Sequence, residues 1–244
     1  MNNSSSIKID SFKKLPLLEL GLDLNNFGRI FAFVDFGNVQ HWYDEQRKKK
    51  DGTLLQPDEV FYVDINKLGE FLDLFVEHKR FYYGHIPSKP ATLHIIILAE
   101  KCKFVKITKP VHRVRHYLTP YDKISRKVTI YKDASGKNYI LIPKCNFDVE
   151  ITLDAIRRID DYDTFLLCSS DRDFEKLLYF LKKKGKKTIL IGGGYVSKDL
   201  KQHADKFIHA NRIRNLITSV KKVKARSLKR AGGISDPPPA DRVA

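Results

Sequence analysis

Four aspartates and an asparagine occupy positions where a divalent cation and a phosphodiester can meet. Asp35 closes the apolar run Ile30-Phe31-Ala32-Phe33-Val34, and Asn38 follows it by three residues. Asp171 and Asp173 flank Arg172 just after Thr164-Phe165-Leu166-Leu167-Cys168, and Asp148 opens the segment leading into that run. Residues 145–175 hold nine carboxylates against three arginines, in a 244-residue chain of formal charge +16. Crowded carboxylates repel, and their pKa values rise unless a cation neutralises them. Oxygen-rich donor sets suit Mg2+ or Mn2+, which keep several waters and take substrate phosphates in their remaining positions. One or two such ions can activate a water and stabilise the leaving oxygen in phosphodiester hydrolysis.

The elements around these residues read as an alternation of strands and helices. Runs such as Ile30–Asp35 and Thr164–Cys168, apolar almost throughout, mark strands buried on both faces of a parallel sheet. Further strands are expected at Lys79–Gly84, Phe104–Thr108, Lys187–Ile191 and Lys206–Ile208. Helices are expected at His41–Lys50, after the Asp64 cap, from Lys89-Pro90 to Lys101, and at Phe147–Ile159, Asp171–Lys184, Val196–His203 and Asn211–Val220. In such a sheet the functional crevice lies at the carboxyl ends of the strands, deepest where the strand order reverses. If the strands ending at Asp35 and Cys168 are neighbours, Asp35, Asp171 and Asp173 meet at one sheet edge. Asn38 then adds a neutral oxygen or an orienting donor, and Asp148 projects over the same crevice. Each acid has a plainer reading as well, Asp171 as the N-cap of its own helix.

Residues 109–144 interrupt this rhythm with nine Lys+Arg and two acids. Val111–Leu118 and Lys127–Tyr131 read as extended arms, with Asn138–Ile142 pairing back across the turn Asp133–Lys137 as a basic β-hairpin insertion. Arg113, Arg115 and His116 on this arm suit phosphate contact, and Tyr117, Tyr121 and Tyr131 suit stacking on unpaired bases. A hairpin packed on the domain or on a second subunit, as in a homodimer, is the other reading. The chain thus divides into an N-terminal extension (1–28), an α/β domain (29–220) carrying the insertion, and a basic, proline-rich tail (221–244) expected to be disordered. Gly192-Gly193-Gly194 lacks the residues of a phosphate-binding loop and reads as a flexible turn on the rim. Three separated cysteines, Cys102, Cys145 and Cys168, read as buried thiols of a reducing compartment. With no run long enough to span a bilayer and no signal-peptide pattern, a cytoplasmic protein without membrane association is expected.

Three motifs carry a family resemblance. Phe33-Val34-Asp35-Phe36-Gly37-Asn38 resembles the opening Asp-x-x-Asn motif of NYN domains, the PIN-like nucleases that include LabA-like proteins. Lys144-Cys145-Asn146-Phe147-Asp148, with Asp154 six residues on, resembles the family's central Lys-to-Asp helix motif. Leu167-Cys168-Ser169-Ser170-Asp171-Arg172-Asp173-Phe174 is similar to its Ser-Gly-Asp-x-Asp-Phe signature, with Ser170 in place of glycine and Arg172 between the aspartates. The resemblance runs over roughly residues 29–218. It implies a PIN-like three-layer α/β sandwich around a mostly parallel sheet of order 3-2-1-4-5. It also implies Mg2+- or Mn2+-dependent RNA cleavage, with Asp35, Asp148, Asp171 and Asp173 as acidic ligands and Asn38 in support. Arg172 departs from that pattern and reads either as a contact to substrate phosphate or as a partner of a carboxylate that weakens metal binding, and Lys144 reads as a substrate contact. Asp154 and Ser170 stand in a second tier, because six helical residues rotate a side chain about 240° and set Asp154 off from Asp148. Asp154 can instead pair with Arg157 or Arg158, leaving Val149, Leu153 and Ile156 as the core face.

The function expected is a divalent-metal-dependent ribonuclease, DNA not being excluded as substrate. Its rival is a non-catalytic RNA-binding or assembly module that keeps the acidic pocket. A phosphohydrolase of the haloacid-dehalogenase type wants a second aspartate two residues after the first, and Gly37 stands there.

Overall fold

The computed structural model describes residues 17–120, 122 and 128–223, which fall into two compact units: residues 17–110 with 146–223, and residues 111–145. In the first unit β1 (Ile30–Asp35) runs straight into the short helix α1 (Phe36–Val39), capped by Asp35. Then come β2 (Glu59–Val63), α2 (Ile65–Leu72), β3 (His78–His85), α3 (Pro90–Lys101) and β4 (Val105–Pro110). The second unit holds β5 (His112–Tyr117), β6 (Tyr131–Lys132) and β7 (Asn138–Lys144). The first unit resumes with α4 (Asp148–Arg157), β8 (Thr164–Cys168), a 3-10 turn at Arg172–Phe174, α5 (Glu175–Lys183) and β9 (Lys187–Gly192). It ends with α6 (Lys198–Gln202), β10 (Lys206–His209), α7 (Arg214–Ile217) and β11 (Thr218–Lys222).

The main sheet has the order β10-β9-β8-β1-β3-β4, and every pairing is parallel. This is the PIN-like order expected from the sequence, extended by β10 as a sixth strand beyond β9. β1 and β8 lie side by side at its centre and are buried along nearly their whole length. On one face Ala32, Val34, Phe81 and Ile191 join a core with Leu68, Leu72 and Ile96 of α2 and α3. On the other, Phe33 packs against Phe165 and Tyr162, and the Tyr162 hydroxyl donates to the Ala155 carbonyl of α4 at 2.8 Å. Parallel strands with apolar side chains on both faces require this covering on both sides, which makes three layers. Leu17, Leu20 and Leu22 of the N-terminal extension are buried in the first of these cores.

Several elements differ from the sequence expectation. The helix expected at 41–50 is a series of turns after α1, because Trp42 and Tyr43 fold back into the core and the Tyr43 hydroxyl donates to the Ala210 carbonyl at 2.7 Å. The helix expected at 211–220 shrinks to α7, and β11 continues as an extended strand pairing antiparallel with β2. Ser219 fixes that ribbon by donating to Asp64, the cap of α2, at 2.9 Å. Of the cysteines only Cys168 is buried, while Cys102 and Cys145 are partly exposed. Among the described residues no helix is long and apolar enough to cross a membrane. The C-terminal tail from residue 224 lies outside the described residues.

The second unit is a three-stranded antiparallel sheet of order β5-β7-β6. Its tight turn is organised by Asp133, whose carboxylate accepts from the amides of Ser135 and Lys137, with Gly136 at φ +79°. Tyr139 stacks on Tyr131 and lies under the Arg115 guanidinium. All six residues of β5, Arg113 and His116 among them, are exposed, as is Lys144 on β7, and His116 faces Asp122 at 3.5 Å. Tyr121 lies outside the described residues.

Helix α4 turns a different face inward from the one its apolar residues suggest. Val149, Leu153 and Ile156 are exposed, and Ile151 and Ala155 are the buried pair. The reason is Asp154, which pairs with neither Arg157 nor Arg158. Its carboxylate accepts from Arg80 of β3 at 2.6 Å and from the Tyr82 hydroxyl at 2.8 Å, and the Arg80 side chain is only 8% exposed. Removing one partner of such a pair leaves a buried charge unneutralised, at a cost of about 3 kcal/mol. Asp154→Ala should therefore lower stability by roughly that amount in a urea titration; a loss too small to resolve would contradict the buried-pair account.

Candidate metal centre

The parallel register of β1 and β8 sets Val34 beside Cys168, so the next residues, Asp35 and Ser169, leave the sheet together. Ser169 is fully buried. Its hydroxyl donates to Asp35 at 3.0 Å and accepts from the Asp171 amide at 3.2 Å, so one side chain orients both acidic loops. Asp171 then caps the 3-10 turn by accepting from the Asp173 amide at 3.0 Å. The capping role and a ligand role are compatible, because an ionised carboxylate offers about four acceptor sites. Asp148 opens α4, where Asn146 steadies it twice: the Asn146 amide donates to its carboxylate at 2.7 Å, and the Asn146 carbonyl accepts its backbone N–H at 2.8 Å.

Asp148, Asp171 and Asp173 each offer a carboxylate oxygen, and the three oxygens lie within 4.8 Å of one another. Asp35 stands outside this trio but feels it: the charges of Asp148 and Asp171 both push its pKa upward. Burial is the larger cause, and it raises Asp35 to about 6 against the hydrogen bonds from Ser169 and Asn38. Burial likewise raises Asp148, with Asp171, Asp173 and Glu150 adding repulsion. Glu150 contributes one further sign of charge strain, a buried Oε2 with no hydrogen-bond partner among the described residues. The donor set is therefore all hard oxygen, partly desolvated and mutually repelling, which fits Mg2+ or Mn2+ in preference to softer ions.

The other residues singled out in the sequence fall in different places. The Asn38 side-chain oxygen accepts from the Trp42 indole at 2.9 Å and the Ser170 amide at 3.0 Å, so it ties the acidic turn to the residues that follow β1. Ser170 clamps the glycine loop, its hydroxyl donating to the Gly193 carbonyl at 2.7 Å and accepting the Gly193 amide at 2.9 Å. That loop is not the flexible turn its glycines suggest. A Cβ on Gly193 would collide with the Trp42 indole, and Gly194 sits at φ +61°. Arg172 donates to Asp199 of α6 at 2.8 Å. Asp154 belongs to the Arg80 pair. Sequence reasoning gave Ser169 no role of its own, although it stands directly after a buried strand and at the serine of the Ser-Gly-Asp-x-Asp-Phe signature.

The raised Asp35 pKa has a measurable consequence. Between its unfolded value near 3.9 and its folded value of about 6, the native state holds more protons than the unfolded state. Stability of the metal-free protein therefore falls as pH rises through that window. Asp35→Asn should flatten this slope and raise metal-free stability above pH 7 by on the order of 2 kcal/mol. Chemical melts of both proteins at several pH values in EDTA test it, and parallel profiles would contradict it.

Comparison with known proteins agrees with this architecture. The NYN domain profile matches residues 29–214. The low amplitude and bright protein LabA of Synechococcus elongatus is 30% identical over 88 residues, a stretch covering 36% of this chain and 46% of LabA. The matched part is thus about half the length of that relative. The crystal structure of a protein of unknown function, VPA0982 from Vibrio parahaemolyticus, superimposes with a TM-score of 0.51 at 21% identity, covering 81% of this chain and all of that one. That likeness concerns the fold. With the Asp35, Asp148 and Asp171 motifs in order on a PIN-like sheet, the chain belongs to the NYN domain family.

Proposed function

We propose that this protein is a divalent-metal-dependent ribonuclease that hydrolyses RNA phosphodiester bonds at the acidic centre. The observation that carries this reading is the approach of Asp148, Asp171 and Asp173 within 4.8 Å in a chain of charge +16. Those three residues would hold Mg2+ or Mn2+, with the partly buried Asp35 beside them. When bound, the ion supplies Lewis-acid charge and an activated water to the phosphodiester.

The remaining groups work by orientation. Ser169 fixes Asp35 and the Asp171 loop through one hydroxyl, Asn146 fixes Asp148, and Asn38 locks the backbone of Ser170. Held in this way, the carboxylates need little reorganisation when charge develops on the reacting phosphate. Ser169 is fully buried, with its hydroxyl engaged by Asp35 and the Asp171 amide, so it is not suited to act as a nucleophile. Hydrolysis then needs no covalent intermediate on this side chain. The exposed Arg113, Arg115, His116 and Lys144 of the second unit suit sequence-independent phosphate affinity that weakens with salt.

End-labelled RNA incubated with Mn2+, Mg2+ or EDTA tests the proposal. Cleavage should require the ion and fall by at least about 100-fold in Asp171→Asn, on the scale of losing one preorganised electrostatic group. Salt-sensitive RNA binding without any metal-dependent cleavage would contradict it, and would favour a non-catalytic RNA-binding module.

A further inference from the structure

A cleft of about 640 Å3 opens beside the acidic centre, and its wall includes Asn38 and Ser170, the two residues that lock the Asp171 turn. Ser170 and Asp171 are consecutive, their Cα atoms about 3.8 Å apart, so the cleft wall adjoins the turn that bears one carboxylate of the trio. Its other sides carry Trp42, Tyr195, and the polar edges of Gln46 and Asn211. Tyr195 is 87% exposed, an unusual state for a tyrosine on an otherwise fixed loop. The loop is held at Gly193 by Ser170 and at the Gly194 carbonyl by His209, whose Nε2 donates at 3.3 Å while its Nδ1 accepts the Asn211 amide at 3.2 Å.

The chemistry of this wall selects a class of ligand. Asp44 and Glu45 line the cleft, and among the described residues no lysine or arginine does, so a phosphate is disfavoured there. A flat, uncharged ring with hydrogen-bonding edges suits it instead: an aromatic face for stacking, and amide and carboxylate groups for ring edges bearing amino groups. We propose that the cleft is a subsite for an unpaired nucleobase, stacked on Tyr195, of the nucleotide next to the phosphate at the acidic centre. The subsite deepens the nuclease reading, on which it rests for the identity of the neighbouring centre. It makes the substrate single-stranded at that position, because a paired base is not free to enter.

Trp42 is the chain's one tryptophan and lies in the cleft wall, so intrinsic fluorescence reports on the subsite directly. The probe is pentaadenosine with neutral methylphosphonate linkages, which the acids neither attract nor repel, titrated into the full chain in EDTA. A saturable change in Trp42 emission is expected. Tyr195→Ala should weaken the apparent affinity about tenfold, and Tyr195→Phe should restore it, the scale being that of one base–aromatic stack. No change in emission, or equal affinities for wild type and Tyr195→Ala, overturns the subsite. Cleavage assays run alongside separate the two proposals. Metal-dependent cleavage with no effect at Tyr195 removes the subsite and leaves the nuclease. Tyr195-dependent binding without cleavage leaves the subsite and removes the nuclease.

Discussion

Two parallel strands, β1 and β8, run through the centre of the sheet buried on both faces, and they end in step. The hydrogen bond from Ser169 to Asp35 is made where they end, and the acidic centre depends on it. Because the strands cannot slip without moving every side chain out of its layer, the two chain ends that leave them are fixed relative to each other. Ser169 converts that register into a link between Asp35 and the Asp171 turn. Asn38 and Ser170 extend the link outward, first to Trp42 and then to the glycine loop, so the acidic turn and the cleft wall form one hydrogen-bonded unit.

The electrostatics work against folding at this point and toward binding. Burial and neighbouring carboxylates raise both Asp35 and Asp148, so the metal-free centre carries charge that the fold does not itself neutralise. Elsewhere the same protein pairs its buried charges: Arg80 meets Asp154, which also accepts from Tyr82, and the buried Lys79 meets Asp73. The contrast sets the acids proposed to hold a metal apart from structural acids better than position in the sequence does.

Much of this was legible in the sequence. The near-continuous apolar runs at Ile30–Val34 and Thr164–Cys168 identified the central strands, and the carboxylates after them marked the sheet edge where Asp171 and Asp173 lie. The limits have physical causes. Val149, Leu153 and Ile156 suggested a core face for α4, but a charge pair reaching β3 overrode the apolar stripe. The β2–β11 ribbon joins segments far apart in sequence, and nothing local announces their pairing. The glycine loop looked mobile because a sequence does not reveal that Trp42 presses on Gly193, nor that Ser170 holds it. For Asn38 the sequence left a ligand oxygen and an orienting group both open, because it does not reveal which donors that oxygen serves.

The central claim is that the carboxylates of Asp148, Asp171 and Asp173 form one cation site. Thermal melting in EDTA and in millimolar Mn2+, for the wild type and for Asp171→Asn, tests it most directly, because an ion that binds only the native state must raise its melting temperature. A clear upward shift is expected in the wild type, and a smaller or absent one in a variant whose metal-free form is no less stable. Melting curves that Mn2+ leaves unmoved in both proteins would show that these carboxylates do not act together.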